Sequence, residues 1–277
     1  MRSLRRHTPT LTTTPAVPAI TTGDPADGPP AAAPDRANRI FAQVVRRRKW
    51  SLHRHVHLRA AFEEANTRAP VRRMLTVGCG AGLSELYLAA RHPELALTLT
   101  DFDPGRLGAA RRAAANLGVD NVTFRRLDLL SPPDGPTYDL VTGTEVLEHI
   151  GPDDVAATNL LAWTHGHVWV LVPHCADEDL TDPRRVRREW ERHGHHRPGY
   201  SSASLRRLFD GGQPSWVRRC YYAPDAARLR AVLNAHPDDE LLRHAGELER
   251  LAARDVRDDP SPDHPAAGIE ILVRSST

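Results

Sequence analysis

At 277 residues the chain exceeds one ordinary domain of about 100–200 residues and falls short of two, so one enlarged α/β domain is expected. Its 37 basic and 35 acidic residues give a formal charge of +2, which removes the general electrostatic case for a nucleic-acid binder. Cys79, Cys175 and Cys220 are too scattered for a disulfide framework, and no run of about 18 apolar residues exists to cross a membrane, so a cytoplasmic protein is expected.

Residues 1–35 are rich in Thr, Pro and Ala and lack apolar periodicity, the composition of a disordered tail. Over 36–66, Ile40, Phe41, Val44, Val45, Leu52, Val56, Leu58 and Phe62 recur at three- and four-residue steps, the period of a helix. This stretch is also basic, with Arg46, Arg47, Arg48, Lys49, Arg54 and Arg59. It is expected to pack over the rest of the chain as a lid. His53, His55 and His57 would share one face of a strand, but a helix spreads them around its axis, so the three are not expected to bind a metal together.

The remainder, 67–277, alternates short apolar runs with helical patterns. The runs are Met74–Val77, Leu95–Thr100, Val122–Phe124, Leu140–Gly143 and Val168–Val172. Helices are predicted over Leu83–Arg91, Pro104–Leu117 and Pro152–Thr164, two of them opening on a proline suited to a first turn. Such alternation argues for βαβ units and a parallel sheet. A polar stretch, 174–200, then precedes a helix at Ser201–Phe209, a strand at Trp216–Tyr222, helical patterning over Ala226–Val256 broken at Pro237, and a closing strand at Ile269–Val273. The polar stretch and the region 224–262 are read as insertions.

The first strand runs into Gly78-Cys79-Gly80-Ala81-Gly82 and then into a helix. Glycines there let a ligand approach the backbone where a side chain would block it. The pattern is neither G-x-G-x-x-G, because Leu83 takes the third glycine's place, nor a Walker loop, because no Lys-Ser/Thr follows. This makes a dinucleotide-dependent dehydrogenase the poorest reading. Asp101 ends the second strand, where a carboxylate can accept two ribose hydroxyls, and Asp128 ends the third strand region, within reach of an adenine amine. A glycine turn and two acids at successive strand ends describe a nucleoside site in the crevice where ligands of open α/β sheets bind.

VGCGAG, LTLTDFDP, VTFRRLDLL and TGTEVLEHI, in this order, resemble the successive motifs of class I S-adenosylmethionine-dependent methyltransferases, with small-molecule and ubiquinone-type enzymes nearest in character. The resemblance covers about residues 70–175. It implies a Rossmann-like sheet of seven strands with the last antiparallel and helices on both faces. It also implies S-adenosyl-L-methionine as cofactor. Gly78, Cys79, Gly80 and Gly82 would face its methionine part, Asp101 its ribose, and Phe102, Asp128 and Leu129 its adenine. Glu145 would lie near the sulfonium.

Glu145, Glu148 and His149 form an EVLEH segment similar to that of ubiquinone-type O-methyltransferases and small-RNA 2′-O-methyltransferases. In some of these it supplies ligands to a divalent metal, here the less favoured option. A near-neutral His can instead take a proton from a hydroxyl. The RNA-methylating resemblance is incomplete, because Asp153 stands where a second His would follow and the later aromatic signature is missing. No Asn/Asp-Pro-Pro-Tyr follows strand four, which argues against methylation of a base amine. Farther on, GHHRPGY (194–200) resembles a segment of small-molecule methyltransferases, with Arg197 suited to an acceptor carboxylate or phosphate and His195 or Tyr200 to its hydroxyl.

The sequence therefore predicts O-methylation of a small or medium organic acceptor, an anionic one included, with His149 or His195 as base. An RNA 2′-O-methyltransferase with a metal at EVLEH is one alternative. A non-catalytic S-adenosylmethionine-binding partner protein is the other.

Overall fold

Apolar runs buried on both faces make the centre of a parallel sheet, and the runs read from the sequence form one. The computed structural model of the chain describes residues 36–46, 49–220, 231, 238–257 and 266–276. The expected tail at 1–35 and the helical reading of Ala226–Pro237 lie outside these residues, apart from position 231.

The strands are β1 (Arg73–Val77), β2 (Ala96–Asp101), β3 (Val122–Arg126), β4 (Tyr138–Thr144), β5 (Thr164–Pro173), β6 (Gln213–Cys220) and β7 (Gly268–Arg274). They lie in the order β3-β2-β1-β4-β5-β7-β6. β1 to β5 pair in parallel, and β7 runs antiparallel to both β5 and β6. This is the seven-stranded arrangement that the motifs implied. The helices are α1 (Arg36–Arg46), α2 (Lys49–Arg68), α3 (Leu83–Arg91), α4 (Pro104–Leu117), α5 (Asp153–Ala162), α6 (Pro183–His193), α7 (Ser202–Leu208) and α8 (Asp238–Arg257).

α1, α2, α3, α4 and α8 cover one face, where Ile40, Phe41, Phe62, Leu86 and Leu248 pack with Met74, Leu97, Leu140 and Trp169. α5 and α7 cover the other, over Leu75, Val141, Val170 and Ile271. Burying each large apolar side chain of this kind contributes about 1.5–3 kcal/mol, so both layers hold firmly to the sheet. The stretch predicted as one helical region is two helices, and α1 buries Ile40, Phe41, Val44 and Val45.

Helix ends follow their local chemistry. Asp103 caps α4 by accepting from the Gly105 N–H at 2.7 Å, and Gly118 closes it in the left-handed region at φ +66°. α6 falls inside the stretch read as a polar connection. It buries no residue and its apolar side is only Val186 and Trp190 among arginines, yet Asp182-Pro183 at its start and Gly194 at its end are ordinary helix punctuation that the sequence already contained.

Candidate active site

The turn after β1 is shaped by backbone that side chains rarely tolerate. Gly78, Gly80 and Gly82 have φ of +61°, +56° and +64°. A Cβ on Gly82 would come within 2.7 Å of Leu99 Cδ1, whereas one on Gly80 would meet no atom within 4 Å. Gly82 is thus demanded by packing against β2, and Gly80 by its conformation at the wall of an open cleft. Asp101, buried at the end of β2, locks the turn: Oδ2 accepts from the Gly80 N–H at 3.0 Å and Oδ1 from the Asp103 N–H at 2.9 Å. Each carboxylate oxygen keeps a further lone pair for a ligand.

Two adjoining cavities of about 400 and 660 Å³ open along the carboxyl ends of the strands, within the range of small-molecule sites. The first lies between α2 and the glycine turn and is lined by Ser51, Arg54, Gly78, Gly80, Glu85 and Glu145. The second is lined by Asp101, Phe102, Asp128, Leu129, His149 and His196. Glu145 and His149 line both, at the junction. Phe102 is 61% exposed, with the Arg126 guanidinium 5.1 Å from its ring centroid, so it offers an uncovered aromatic edge to the second cavity. Asp128 accepts from the Leu130 N–H at 3.0 Å, which fixes its loop.

All the residues assigned to the cofactor from the sequence therefore lie along one continuous cleft. Sequence reading missed two of its walls, Arg54 and Glu85. Arg54 of α2 pairs with Glu145, which itself sits at φ +51°, the one left-handed non-glycine residue among those described. Glu85 and Glu148 are buried acids. Burial pushes the Glu85 carboxyl up to about 7, against the opposing pull of a backbone hydrogen bond and Arg54. Burial, with the Glu145 charge adding to it, pushes Glu148 up to about 8.

Glu148 is fully buried, and neither carboxyl oxygen has a hydrogen-bond partner among the described residues. It stands beside His149 and His195, and the three bring one nitrogen or oxygen each within 4.8 Å of one another. The imidazoles of His149 and His195 meet edge to face, with centroids 4.7 Å apart. Burial lowers the pKa of His149, and burial together with the His149 ring lowers that of His195 to about 4. Both rings are neutral at pH 7 and keep a free lone pair. His149 reaches the cleft. His195 stands behind it, 3.4 Å from Glu189 Oε2. The orphaned oxygens of Glu148 fit a proton or a divalent cation equally well by donor chemistry.

Arg197 and Tyr200 are differently employed from the sequence expectation. Arg197 bonds Asp153 at 2.7 Å and the Gly199 carbonyl at 2.9 Å, and lies over the Tyr200 ring. The Tyr200 hydroxyl donates to Asp153 at 2.9 Å, and its side chain is fully buried. Together they tie the 194–200 loop to α5. His196, whose N–H donates to the Glu148 carbonyl at 2.7 Å, faces the second cavity instead, with Trp190 of α6 beside it at 4.9 Å.

Residues 75–163 match the sequence profile of a family described as a methyltransferase domain. Residues 75–163 thus carry a methyltransferase domain. Over 93 residues it is 38% identical to a ubiquinone biosynthesis O-methyltransferase of Alkalilimnicola ehrlichii, covering 33% of this chain and 36% of that one. A trans-aconitate 2-methyltransferase of Methylobacterium nodulans is 37% identical over 76 residues, or 27% of this chain and 28% of that one. The matched segment thus spans about a third of the length of these curated relatives. Among solved structures, the N-methyltransferase NodS of Bradyrhizobium japonicum bound to S-adenosyl-L-homocysteine aligns with a TM-score of 0.52 at 16% identity, covering 88% of this chain and all of that one. The [4+2]-cyclase SpnF aligns with a TM-score of 0.53 at 18% identity, covering 78% and 80%. At these identities the methyltransferase domain and its neighbours share a fold, and function must be argued from the site. No helix among the described residues is long and apolar enough to cross a membrane.

Proposed function

We propose that the protein is an S-adenosylmethionine-dependent methyltransferase that methylates a hydroxyl of a small or medium organic acceptor. The observation that carries this reading is the Asp101 carboxylate, locked onto the glycine turn at one end of a cleft whose junction is His149. When bound, S-adenosylmethionine supplies an electrophilic methyl group on a sulfonium. The chain's own residues do the rest. The open face of Gly80 and the turn around it receive the amino-acid part. Asp101 takes the ribose hydroxyls, while Phe102, Asp128 and Leu129 border the adenine. The α1–α2 pair acts as the lid expected from the sequence, because α2 forms one wall of the first cavity.

On the acceptor side, His149 Nε2 accepts the hydroxyl proton as the oxygen attacks, because Nδ1–H faces the Gly194 carbonyl at 3.4 Å, a role that suits a ring held neutral by burial. His195 positions that ring edge-on and does not itself line either cavity. His196 and Trp190 offer a flat, partly apolar flank to the acceptor. Holding nucleophile and methyl group in line supplies the larger part of such catalysis.

Calorimetry with S-adenosylhomocysteine tests the cofactor half. Asp101→Ala removes hydrogen bonds to two hydroxyls, about 3 kcal/mol in all, so binding should weaken about a hundredfold. Asp128→Ala, which leaves the turn intact, should weaken it less. Undiminished binding by both variants, or none by the wild type, overturns the assignment.

A second reading is favoured by the convergence of Glu148, His149 and His195. In it a divalent ion at these three atoms, rather than a histidine base, lowers the pKa of the acceptor hydroxyl. Chelation that abolishes methyl transfer and magnesium or manganese that restores it would establish this reading. An RNA acceptor gains little from it: Arg54 and Arg59, two cations of the basic stretch, are engaged with Glu145 and Glu249.

A further inference from the structure

Away from the cleft, on the sheet face covered by α2, three potential ligand atoms converge from three distant segments. His57 projects from α2, Cys220 ends β6 and Glu270 lies in β7. All three are buried, with exposures of 3%, 1% and 1%. His57 Nδ1 is 3.2 Å from Glu270 Oε1 and 3.6 Å from Cys220 Sγ. The three ligand atoms lie within 4.8 Å of one another.

With Nδ1 protonated, His57 donates to Glu270 at 3.2 Å and the Cys220 thiol has the Arg218 carbonyl at 4.0 Å as its acceptor, so the three are satisfied without an ion. With the imidazole neutral and the thiol ionised, the nitrogen, sulfur and carboxylate oxygen all direct lone pairs at one point, the donor set of a divalent cation.

The spacing fits such a centre. Zinc bonds of about 2.0–2.1 Å to nitrogen, 2.0–2.2 Å to oxygen and 2.3 Å to sulfur, opened to tetrahedral angles, put N···O near 3.3 Å and N···S near 3.6 Å. Glu270 is oriented as a metal ligand's carboxylate usually is, since its other oxygen accepts from Trp169 Nε1–H at 2.8 Å. Arg218 donates to Glu270 Oε1 at 3.2 Å, is 43% exposed and stands 3.8 Å from Glu64. It covers the solvent side and can swing to Glu64 as an ion enters.

We propose that His57, Cys220 and Glu270 form a structural site for one zinc-class divalent ion, which pins α2 to the β6–β7 edge of the sheet. Binding displaces the Cys220 thiol proton, and any proton on His57 Nδ1, to solvent, and no electron is transferred. A dication with one thiolate, one carboxylate and one neutral imidazole makes an uncharged set, which suits a buried position. The fourth coordination position is left to a water. The three partners come from α2, β6 and β7, so the alternating histidines of α2 are not a site by themselves. His57 becomes a ligand only through strands more than 150 residues away.

Elemental analysis of the full-length protein, expressed with zinc and dialysed against a weak chelator, tests the site. The expected result is about one zinc per chain in the wild type and in His149→Ala, which would disrupt the other histidine cluster, and only a small fraction in Cys220→Ser and His57→Gln. Cobalt loading gives a second readout that does not depend on the variants folding. The wild type should show a thiolate-to-cobalt charge-transfer band in the near ultraviolet. A folded wild-type chain that retains no zinc, zinc retained in full by Cys220→Ser, or bound cobalt without the thiolate band would overturn the proposal.

Discussion

Along the β1–β3 side of the cleft, the site is made by backbone: a left-handed glycine turn, strand ends, and a carboxylate tied to the N–H groups of Asp103, two residues on, and of Gly80, across the β1–β2 pair. Along the β4–β5 side it is made by side chains from separate segments. Glu148 and His149 follow β4, His195 and His196 follow α6, and Arg54 crosses from α2. The first side needs only the neighbouring strands β1 to β3 in register. The second exists only when α2, β4 and the 194–200 loop are packed together, and it tolerates an unpaired buried acid that a purely structural region would not keep.

Substitutions can break this contrast. The largest effect is expected for His149→Ala, which should lower turnover by about 10²–10⁴ while leaving S-adenosylhomocysteine affinity nearly unchanged. A parallel loss of cofactor affinity would show that the two sides are not separable.

Glu249 of α8 gives the next effect, in stability. Burial alone would raise its pKa, but the neighbouring His55 imidazole, a hydrogen bond from Tyr87 and the Arg59 charge hold it down at about 2, from 4.5. A depressed carboxyl stabilises the fold above its unfolded pKa, and that contribution is lost as pH falls from about 4.5 to 2. Thermal melts of Glu249→Gln should therefore lie below wild type at neutral pH, and the gap should close across that acid window.

Glu148 titrates with the opposite sign. Its pKa rises on folding, so the stability associated with its neutral form is present below about 4.5 and lost as pH climbs to about 8. Glu148→Gln, which cannot ionise, should melt above wild type by a margin that grows between pH 5 and 8 and then levels off. A margin that does not change with pH would show that the acid is already charged in the folded chain.

The smallest effect belongs to Trp190, 54% exposed on α6 beside His196. Trp190→Ala should raise the acceptor's KM a few-fold and leave cofactor binding unchanged. A change in cofactor affinity instead would place α6 on the wrong side of the contrast.

The same division separates what could be read in the chain from what could not. Most strands and the helices Leu83–Arg91 and Pro104–Leu117 were legible because periodicity, caps and glycine turns act over a few residues. α6 escaped because its apolar side is only Val186 and Trp190 in an Arg-rich segment, leaving caps as its main signal. Arg197 looked free for an acceptor, and only packing shows that Asp153, Gly199 and Tyr200 occupy it.

By itself the sequence determined the alternating strands and helices through local backbone rules, and its resemblance to class I methyltransferases implied the seven-stranded sheet and the line of residues from Gly78 to Leu129 along its carboxyl ends. Only the tertiary structure decided that His149 reaches the cleft with His195 behind it, that Glu148 is buried without a partner, and that His57 meets Cys220 and Glu270. Those arrangements depend on contacts between segments tens to hundreds of residues apart, where burial rather than sequence spacing sets distance, charge and proton occupancy.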